Sequence, residues 1–197
     1  MRDFDPVKLG TYEATVWVAY YRRRWGAFLR SALGMVRTGF GMPWPRTVRG
    51  AWLVLRANQL WAPYPDNDPD GARATMRRFY ALVARTSHET FDLDVAATLE
   101  IEWWRRHRYL QREDPGDGQA GLDGLVGALA ALYAHVYTVA PETVREAARH
   151  RAEAMVISDR WVAAGCDPAS PDIAAERDEL IRGYAALRAA VSQPAPR

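Results

Sequence analysis

No aspartate or glutamate occurs between Glu13 and Asp66, and this absence is the most distinctive feature of the sequence. The 52 residues in between carry eight arginines and five of the chain's eight tryptophans. Residues 1–60 hold ten basic and three acidic side chains, a net charge of +7, whereas residues 61–197 hold 16 basic and 21 acidic ones, a net charge of −5. Such polarity indicates either an anionic partner or docking of one half of the chain on the other.

Cysteine and long apolar runs are also scarce. Cys166 is the single cysteine, which excludes an intramolecular disulfide bond and favours a reducing, cytoplasmic compartment. Residues 1–8 lack the apolar run of a secretion signal. The longest uncharged run, residues 124–141, is flanked by Asp123 and Glu142, whereas an anchored membrane span has basic neighbours. We therefore expect a buried core helix there and no transmembrane segment.

The alternation of apolar and polar residues that marks strands is missing, and helical spacing predominates. We expect an all-α protein, a single compact domain of about seven helices arranged as a bundle or an orthogonal array. Residues 1–10 and 192–197 are expected to be flexible tails, and residues 114–121 a loop. The predicted helices cover about residues 11–38, 45–60, 69–85, 94–113, 122–139, 142–165 and 172–191.

The segment 66–71 resembles the opening of a calcium-binding loop, with oxygen-bearing side chains at positions one, three and five and glycine at six. Such a loop needs a bidentate carboxylate at position twelve, and Arg77 stands there instead. Asp68 followed by Pro69 is also typical of a helix N-cap with proline in the first turn. The sequence therefore predicts a turn and a helix start rather than a cation site.

Arginines recur with helical spacing in the acid-free stretch. Arg23, Arg30 and Arg37 are seven residues apart, which places them on one helix face at intervals of about 10.5 Å. Arg49 and Arg56 repeat the spacing further on. Such stripes suit phosphates or anionic lipid head groups. We favour the alternative that they are solvated or pair with the acidic cluster at 167–179, with most tryptophans turned inward; nucleic acid is not an expected partner.

Histidines and glutamates at helical spacing define a second hypothesis, a metal site. Helical bundles hold non-haem iron or manganese with Glu and His side chains that point inward from several helices. The usual Glu-x-x-His spacing is absent, and only His150 and Glu153 show it in reverse order. Neighbouring arginines make exposed ion pairs an equally direct explanation. The candidate ligands are Glu13, Glu100, His107, His135, Glu146, His150 and Glu153.

A third set of residues indicates a pocket for an anionic, partly apolar small molecule. Adjacent helical residues point about 100° apart, so Trp103 and Trp104 cannot share one environment: one is expected in the core and the other at a cleft or interface. Aromatic walls with arginines at the rim suit an aromatic or acyl ligand with a negative charge. The expected ligand-binding residues are Trp61, Tyr64, Trp104, Arg105 and Arg106.

These patterns support two functions. The first is a protein that binds a small anionic molecule, in one version a metal-dependent oxidase or oxygenase with a carboxylate and histidine site. The second is a non-catalytic interaction module whose basic N-terminal helices dock a protein partner, a second copy of the chain or a membrane surface.

Overall fold

The computed structural model describes residues 1–112 and 118–192, and the all-α prediction is confirmed. Within these ranges the chain forms eight α-helices and one 3₁₀ turn at Pro141–Val144. The helices are α1 (Pro6–Tyr21), α2 (Trp25–Phe40), α3 (Trp44–Trp61), α4 (Pro69–Ser87), α5 (Leu93–Arg112), α6 (Gly118–Tyr137), α7 (Arg145–Ala163) and α8 (Asp172–Ser192).

The first predicted helix, residues 11–38, is wrong as one element because it is divided between α1 and α2. Arg23 adopts a left-handed backbone conformation with φ of 55°. The Arg24 N–H donates to the Ala19 carbonyl and the Arg23 N–H to the Tyr20 carbonyl, which is the Schellman arrangement that ends a helix. This position is usually glycine, so an arginine there gave no sign of a break in the sequence.

The start of the chain is packed rather than a flexible tail, which corrects the expectation for residues 1–10. Asp5 caps α1 by accepting hydrogen bonds from the Val7 and Lys8 N–H groups. Phe4 and Leu9 are buried in the core. The Arg2 guanidinium donates to the Glu89 carboxylate and to the Tyr137 and Val191 carbonyls. Apolar burial and these bonds hold the segment in place.

Two expected irregular segments lie partly outside the described residues. Of the expected loop at 114–121, positions 114–117 are outside them, and α6 already begins at Gly118. Of the expected tail at 192–197, Ser192 is the last residue of α8 and the rest lies outside. The cap at Asp68 is confirmed: its carboxylate accepts from the Gly71 N–H at 2.8 Å, and α4 starts at Pro69.

Each helix packs against the next one along the chain, and α1 also packs against α8. The apolar helix α6 lies between α5 and α7 and buries Leu125, Val126 and Leu129 in the main core. Among the described helices, α6 alone is long and apolar enough to cross a membrane, and 50% of that 19-residue window is buried inside the protein. This burial fits the expected core helix.

Candidate functional site

The predicted histidine ligands have three different sets of partners. His107 on α5 contacts the Asp159 carboxylate on α7 through Nε2 at 2.9 Å, and Gln111 donates to the other oxygen of Asp159. His135 contacts the carbonyl of Asp92. Among the described residues, the only group of at least three His, Cys, Asp or Glu donors close enough to share an ion contains one histidine, His150. The prediction of one site shared by all three histidines is therefore wrong.

Glu13 is buried in an ion pair, and it does not meet the other predicted ligands. Its carboxylate accepts from the Arg151 guanidinium at 2.8 Å and from the Tyr184 hydroxyl. The remaining Arg151 donor contacts the Tyr133 hydroxyl at 3.2 Å. Burial opposes the charge of Arg151, but Glu13 and the surrounding phenols raise the pKa of Arg151 well above its usual value. This pair is satisfied by protein groups alone.

Glu100 belongs to a separate buried hydrogen-bond set. It accepts from the Tyr80 hydroxyl at 2.6 Å and from the Trp104 indole at 3.1 Å. Burial raises the pKa of Glu100, while these donors and nearby Arg151 act in the opposite direction. The partners come from α4 and α5 and include no histidine. Glu100 thus stabilises the packing of these two helices.

His150, Glu153 and Glu179 do come together at the contact of α7 and α8. The His150 Nδ1 atom lies 2.7 Å from Glu179 Oε2 and 4.0 Å from Glu153 Oε2. The helical spacing of His150 and Glu153 identified two of these residues, whereas Glu179 was missed because it lies on another helix. Glu146, also predicted as a ligand, is exposed and lines a neighbouring groove with His150.

The expected small-molecule pocket does not form from its five predicted residues. Arg105 and Arg106 both pair with Glu102 on the exposed side of α5. Trp104 is buried with its ring 5.7 Å from that of Trp61. Arg105 and Arg106 therefore point away from the aromatic residues that they were expected to accompany.

Trp61 and Tyr64 instead belong to a stacked contact with an arginine of α5. The Arg108 guanidinium lies 4.2 Å from the centre of the Trp61 ring and 5.5 Å from that of Tyr64. It also donates to the Trp61 carbonyl at 2.6 Å. These contacts connect the end of α3 to α5. The positive charge of Arg108 therefore interacts with groups of the protein itself.

Two surface grooves of the described residues are lined by other side chains. One, of about 560 Å³, includes Tyr21, Gln111 and Asp159 in its wall. The other, of about 590 Å³, lies along α7 and α8 and includes His150 and Arg182. Trp61, Tyr64, Trp104, Arg105 and Arg106 are absent from both walls within the described ranges.

Glu176 belongs to the acidic cluster at 167–179, and its side chain is fully buried. Its exposed fraction is 0%, and within the described residues neither its carboxyl oxygens nor the Ser158 hydroxyl has a hydrogen-bond partner. Burial raises the pKa of Glu176 to about 8, and the charges of Glu13 and Asp159 add to this shift. At neutral pH this side chain is mostly a neutral carboxylic acid.

The arginines of the acid-free stretch are solvated, which is one of the two expected alternatives, and they do not pair with the acidic cluster. Asp172 pairs with Arg160, and Glu179 contacts His150 and Arg182. In the described parts of the chain, none of the eight arginines between Glu13 and Asp66 forms an ion pair with an acidic side chain. Their charges face solvent.

The expectation that most tryptophans of this stretch turn inward is also wrong. Trp25, Trp44 and Trp52 have exposed fractions of 53%, 57% and 58%, whereas Trp17 and Trp61 are half-buried. Leu29 and Val48 are exposed by more than half as well. We call the exposed set the arginine–tryptophan surface; it consists of Arg22, Arg23, Arg24, Trp25, Leu29, Arg30, Arg37, Trp44, Arg46, Val48, Arg49, Trp52 and Arg56.

Apart from Arg22, Arg23 and Arg24, which precede α2, this surface lies on α2 and α3, and a cation–π contact connects these two helices. The Arg37 guanidinium at the end of α2 lies 4.3 Å from the centre of the Trp44 ring at the start of α3. At the other end of α2, Trp25 packs edge-on against Tyr20 and Phe28. The sequence contained a signal for this surface, because Arg49, Trp52 and Arg56 are three and four residues apart and share one helix face.

Comparison of the chain with protein-family models, with curated proteins and with solved structures finds no match. The function of the protein is therefore inferred from the geometry of the molecule.

Proposed function

We propose that the protein docks on anionic lipid surfaces through the arginine–tryptophan surface of α2 and α3. The observation that supports this most directly is the joint exposure of Trp25, Trp44 and Trp52 among arginines that have no acidic partner in the described residues. Tryptophan favours the interface between lipid head groups and hydrocarbon, and arginine favours the phosphates above it.

The charge of the surface supplies long-range attraction to such a membrane. Each basic side chain near an anionic leaflet contributes about 1 kcal/mol at physiological salt. Internal ion pairs would cancel that attraction, and the eight arginines make none with described acidic residues. Three arginines acting together therefore account for about 100-fold in membrane partitioning.

The aliphatic side chains favour a lipid over a nucleic acid. Leu29 and Val48 are exposed by 52% and 54% in the same register as the tryptophans. A bilayer offers hydrocarbon in which a buried CH₂ group gains about 0.8 kcal/mol. A nucleic acid offers phosphates and stacking but no hydrocarbon phase, so it leaves these two side chains without a matching environment.

A second copy of the chain is a poor occupant of the same surface. A twofold interface brings the same patch of both subunits together. Here that arrangement would face one set of eight arginines with another, and like charges in contact cost free energy. A lipid surface rich in phosphatidylserine has the opposite charge.

Co-sedimentation with vesicles tests this function. We expect binding to phosphatidylcholine vesicles that contain about 30 mol% phosphatidylserine and little binding to pure phosphatidylcholine. The triple variant Arg30→Gln/Arg37→Gln/Arg49→Gln should bind about 100-fold more weakly. The matched control Arg78→Gln/Arg85→Gln/Arg145→Gln removes the same charge from exposed positions elsewhere and should retain most of the binding.

A second variant separates apolar insertion from charge. Trp25→Ser/Trp44→Ser/Trp52→Ser keeps every arginine and should also release the protein from the anionic vesicles, because hydrocarbon burial is lost. Equal binding to both vesicle types would overturn the proposal. So would binding to a DNA oligonucleotide through these residues with no binding to vesicles.

A further inference from the structure

The contact of α7 and α8 places three metal-binding side chains together, remote in sequence from α2 and α3. His150 and Glu153 are three residues apart on α7, and Glu179 faces them from α8. One donor atom from each lies within 4.8 Å of the other two. One imidazole and two carboxylates form a donor set that suits zinc and other divalent first-row ions.

The distances are close to those that a bound ion requires. Ligand bonds of about 2.1 Å in a tetrahedral site place donor atoms about 3.4 Å apart. The His150 Nδ1 atom is 2.7 Å from Glu179 Oε2 and 4.0 Å from Glu153 Oε2, one value on each side of that spacing. Changes of less than about 1 Å bring both distances to that spacing.

The backbone and the surrounding side chains favour this arrangement. Gly183 lies one turn after Glu179, where an added Cβ would be 3.2 Å from the Ala147 carbonyl and from the His150 Cβ atom. Glycine thus permits α8 to approach α7 at the level of His150. Arg182 pairs with Glu179 Oε1 and also donates through Nε to Oε2 at 3.4 Å, the oxygen that lies 2.7 Å from His150 Nδ1. Such an outer contact orients a ligand.

The site also has an access route and room for a further ligand. His150, Glu153 and Glu179 are partly exposed. His150 lines a groove of about 590 Å³ together with Thr143, Glu146 and Arg182. Three protein ligands with one open position are typical of zinc sites that bind water or a small anionic molecule.

We propose that His150, Glu153 and Glu179 bind one divalent transition-metal ion, with the open coordination position directed into this groove. The proposal does not depend on membrane docking, because it concerns different helices and residues. It also differs from the metal site expected from the sequence, since Glu13, Glu100, His107 and His135 take no part.

Isothermal titration of the chelator-treated full chain with Zn²⁺, and separately with Mn²⁺, tests this site. We expect one ion per chain, and Zn²⁺ to bind more tightly than Mn²⁺. His150→Gln, Glu153→Gln and Glu179→Gln should each weaken Zn²⁺ binding at least about tenfold. The matched controls His135→Gln and Glu142→Gln should leave it unchanged.

Thermal unfolding with and without Zn²⁺ measures the increase in stability that the ion causes. This increase can be compared between proteins even if a variant is less stable than the wild type. An ion that binds only the folded state raises stability by about 2.7 kcal/mol at 100 times its dissociation constant. That increase should be present in the wild type and in His135→Gln, and it should fall by about half or more in Glu153→Gln, which changes a partly exposed side chain. Absence of Zn²⁺ binding by the wild type, or equal binding by all variants, would overturn the proposal.

Discussion

Replacing Glu176 with glutamine should make the stability of the protein much less dependent on pH. The side chain is fully buried on α8, and burial raises its pKa from 4.5 to about 8. Between these two values the folded chain retains a proton that the unfolded chain releases. The contribution of Glu176 to stability is therefore complete below about pH 4.5 and is lost as the pH rises through about 8.

The magnitude follows from the two pKa values. At about 1.4 kcal/mol per pH unit, the interval from 4.5 to about 8 corresponds to about 5 kcal/mol, of which about 3–4 kcal/mol falls between pH 5 and pH 8. Glutamine has a similar shape and never ionises. The variant should therefore gain about 3–4 kcal/mol relative to the wild type between these pH values, or roughly 10 °C in Tm for a chain of this size.

Urea unfolding of both proteins at about pH 5 and about pH 8 measures this difference. Groups that titrate in both proteins cancel in the comparison, so the change with pH belongs to position 176. Glu142→Gln, which alters an exposed glutamate of the 3₁₀ turn, is the matched control and should show no such change. A stability difference between wild type and Glu176→Gln that is the same at both pH values would refute the reasoning.

Two further stability predictions follow from the packing of α1, and the vesicle and zinc titrations above complete the set. Arg151→Met leaves the buried Glu13 carboxylate without its cation and should lower the free energy of unfolding in urea by about 3–5 kcal/mol. The double variant Arg151→Met/Glu13→Gln should recover part of this loss. An unchanged unfolding midpoint in Arg151→Met would contradict a buried ion pair. Gly10→Ala places a Cβ atom 2.8 Å from the Ile181 backbone nitrogen and should destabilise the folded protein by about 1–3 kcal/mol. Gly127→Ala has open space around its Cβ atom and should stabilise the folded protein by up to about 1 kcal/mol. Equal effects of the two alanines would contradict the close contact of α1 and α8.

Local patterns predicted the fold class and several helix starts. The spacing of apolar residues depends only on neighbours along the chain, and so does the cap at Asp68, which the structure confirms. The break between α1 and α2 was not predictable in this way, because an arginine occupies the left-handed position where glycine is expected. Propensity is a weak guide when the surrounding structure imposes a rarer backbone conformation.

Contacts between distant helices explain most of what the sequence did not predict. Glu13 was singled out as an isolated carboxylate, but its partner Arg151 lies 138 residues away and no local pattern connects them. His150 and Glu153 were predicted from spacing, and Glu179 was not. Glu176 could have been recognised as buried, because Leu180, Gly183 and Leu187 follow it at helical spacing and are buried as well.

Glu176 was not recognised as buried, whereas three tryptophans that were expected to be buried are exposed. Large aromatic residues in a helical protein are expected in the core, and that expectation was extended to the whole acid-free stretch. It is correct for Trp104 and Trp161, which are buried. At Trp25, Trp44 and Trp52 the side chains share a helix face with arginines, and a charged face turns outward whatever its aromatic content.

The pairing of α1 with α8 has a consequence for how the protein forms. The Tyr184 hydroxyl that bonds to Glu13 lies 171 residues further along the chain. At a synthesis rate of about 5–20 residues per second, α1 waits on the order of 10–30 s before its partner helix exists. During that interval α2 can already pack against α1, but the Glu13 carboxylate lacks both of its partners, Arg151 and Tyr184. Of the described helices, α1 is thus among those that complete their native contacts last, although it is made before the other seven.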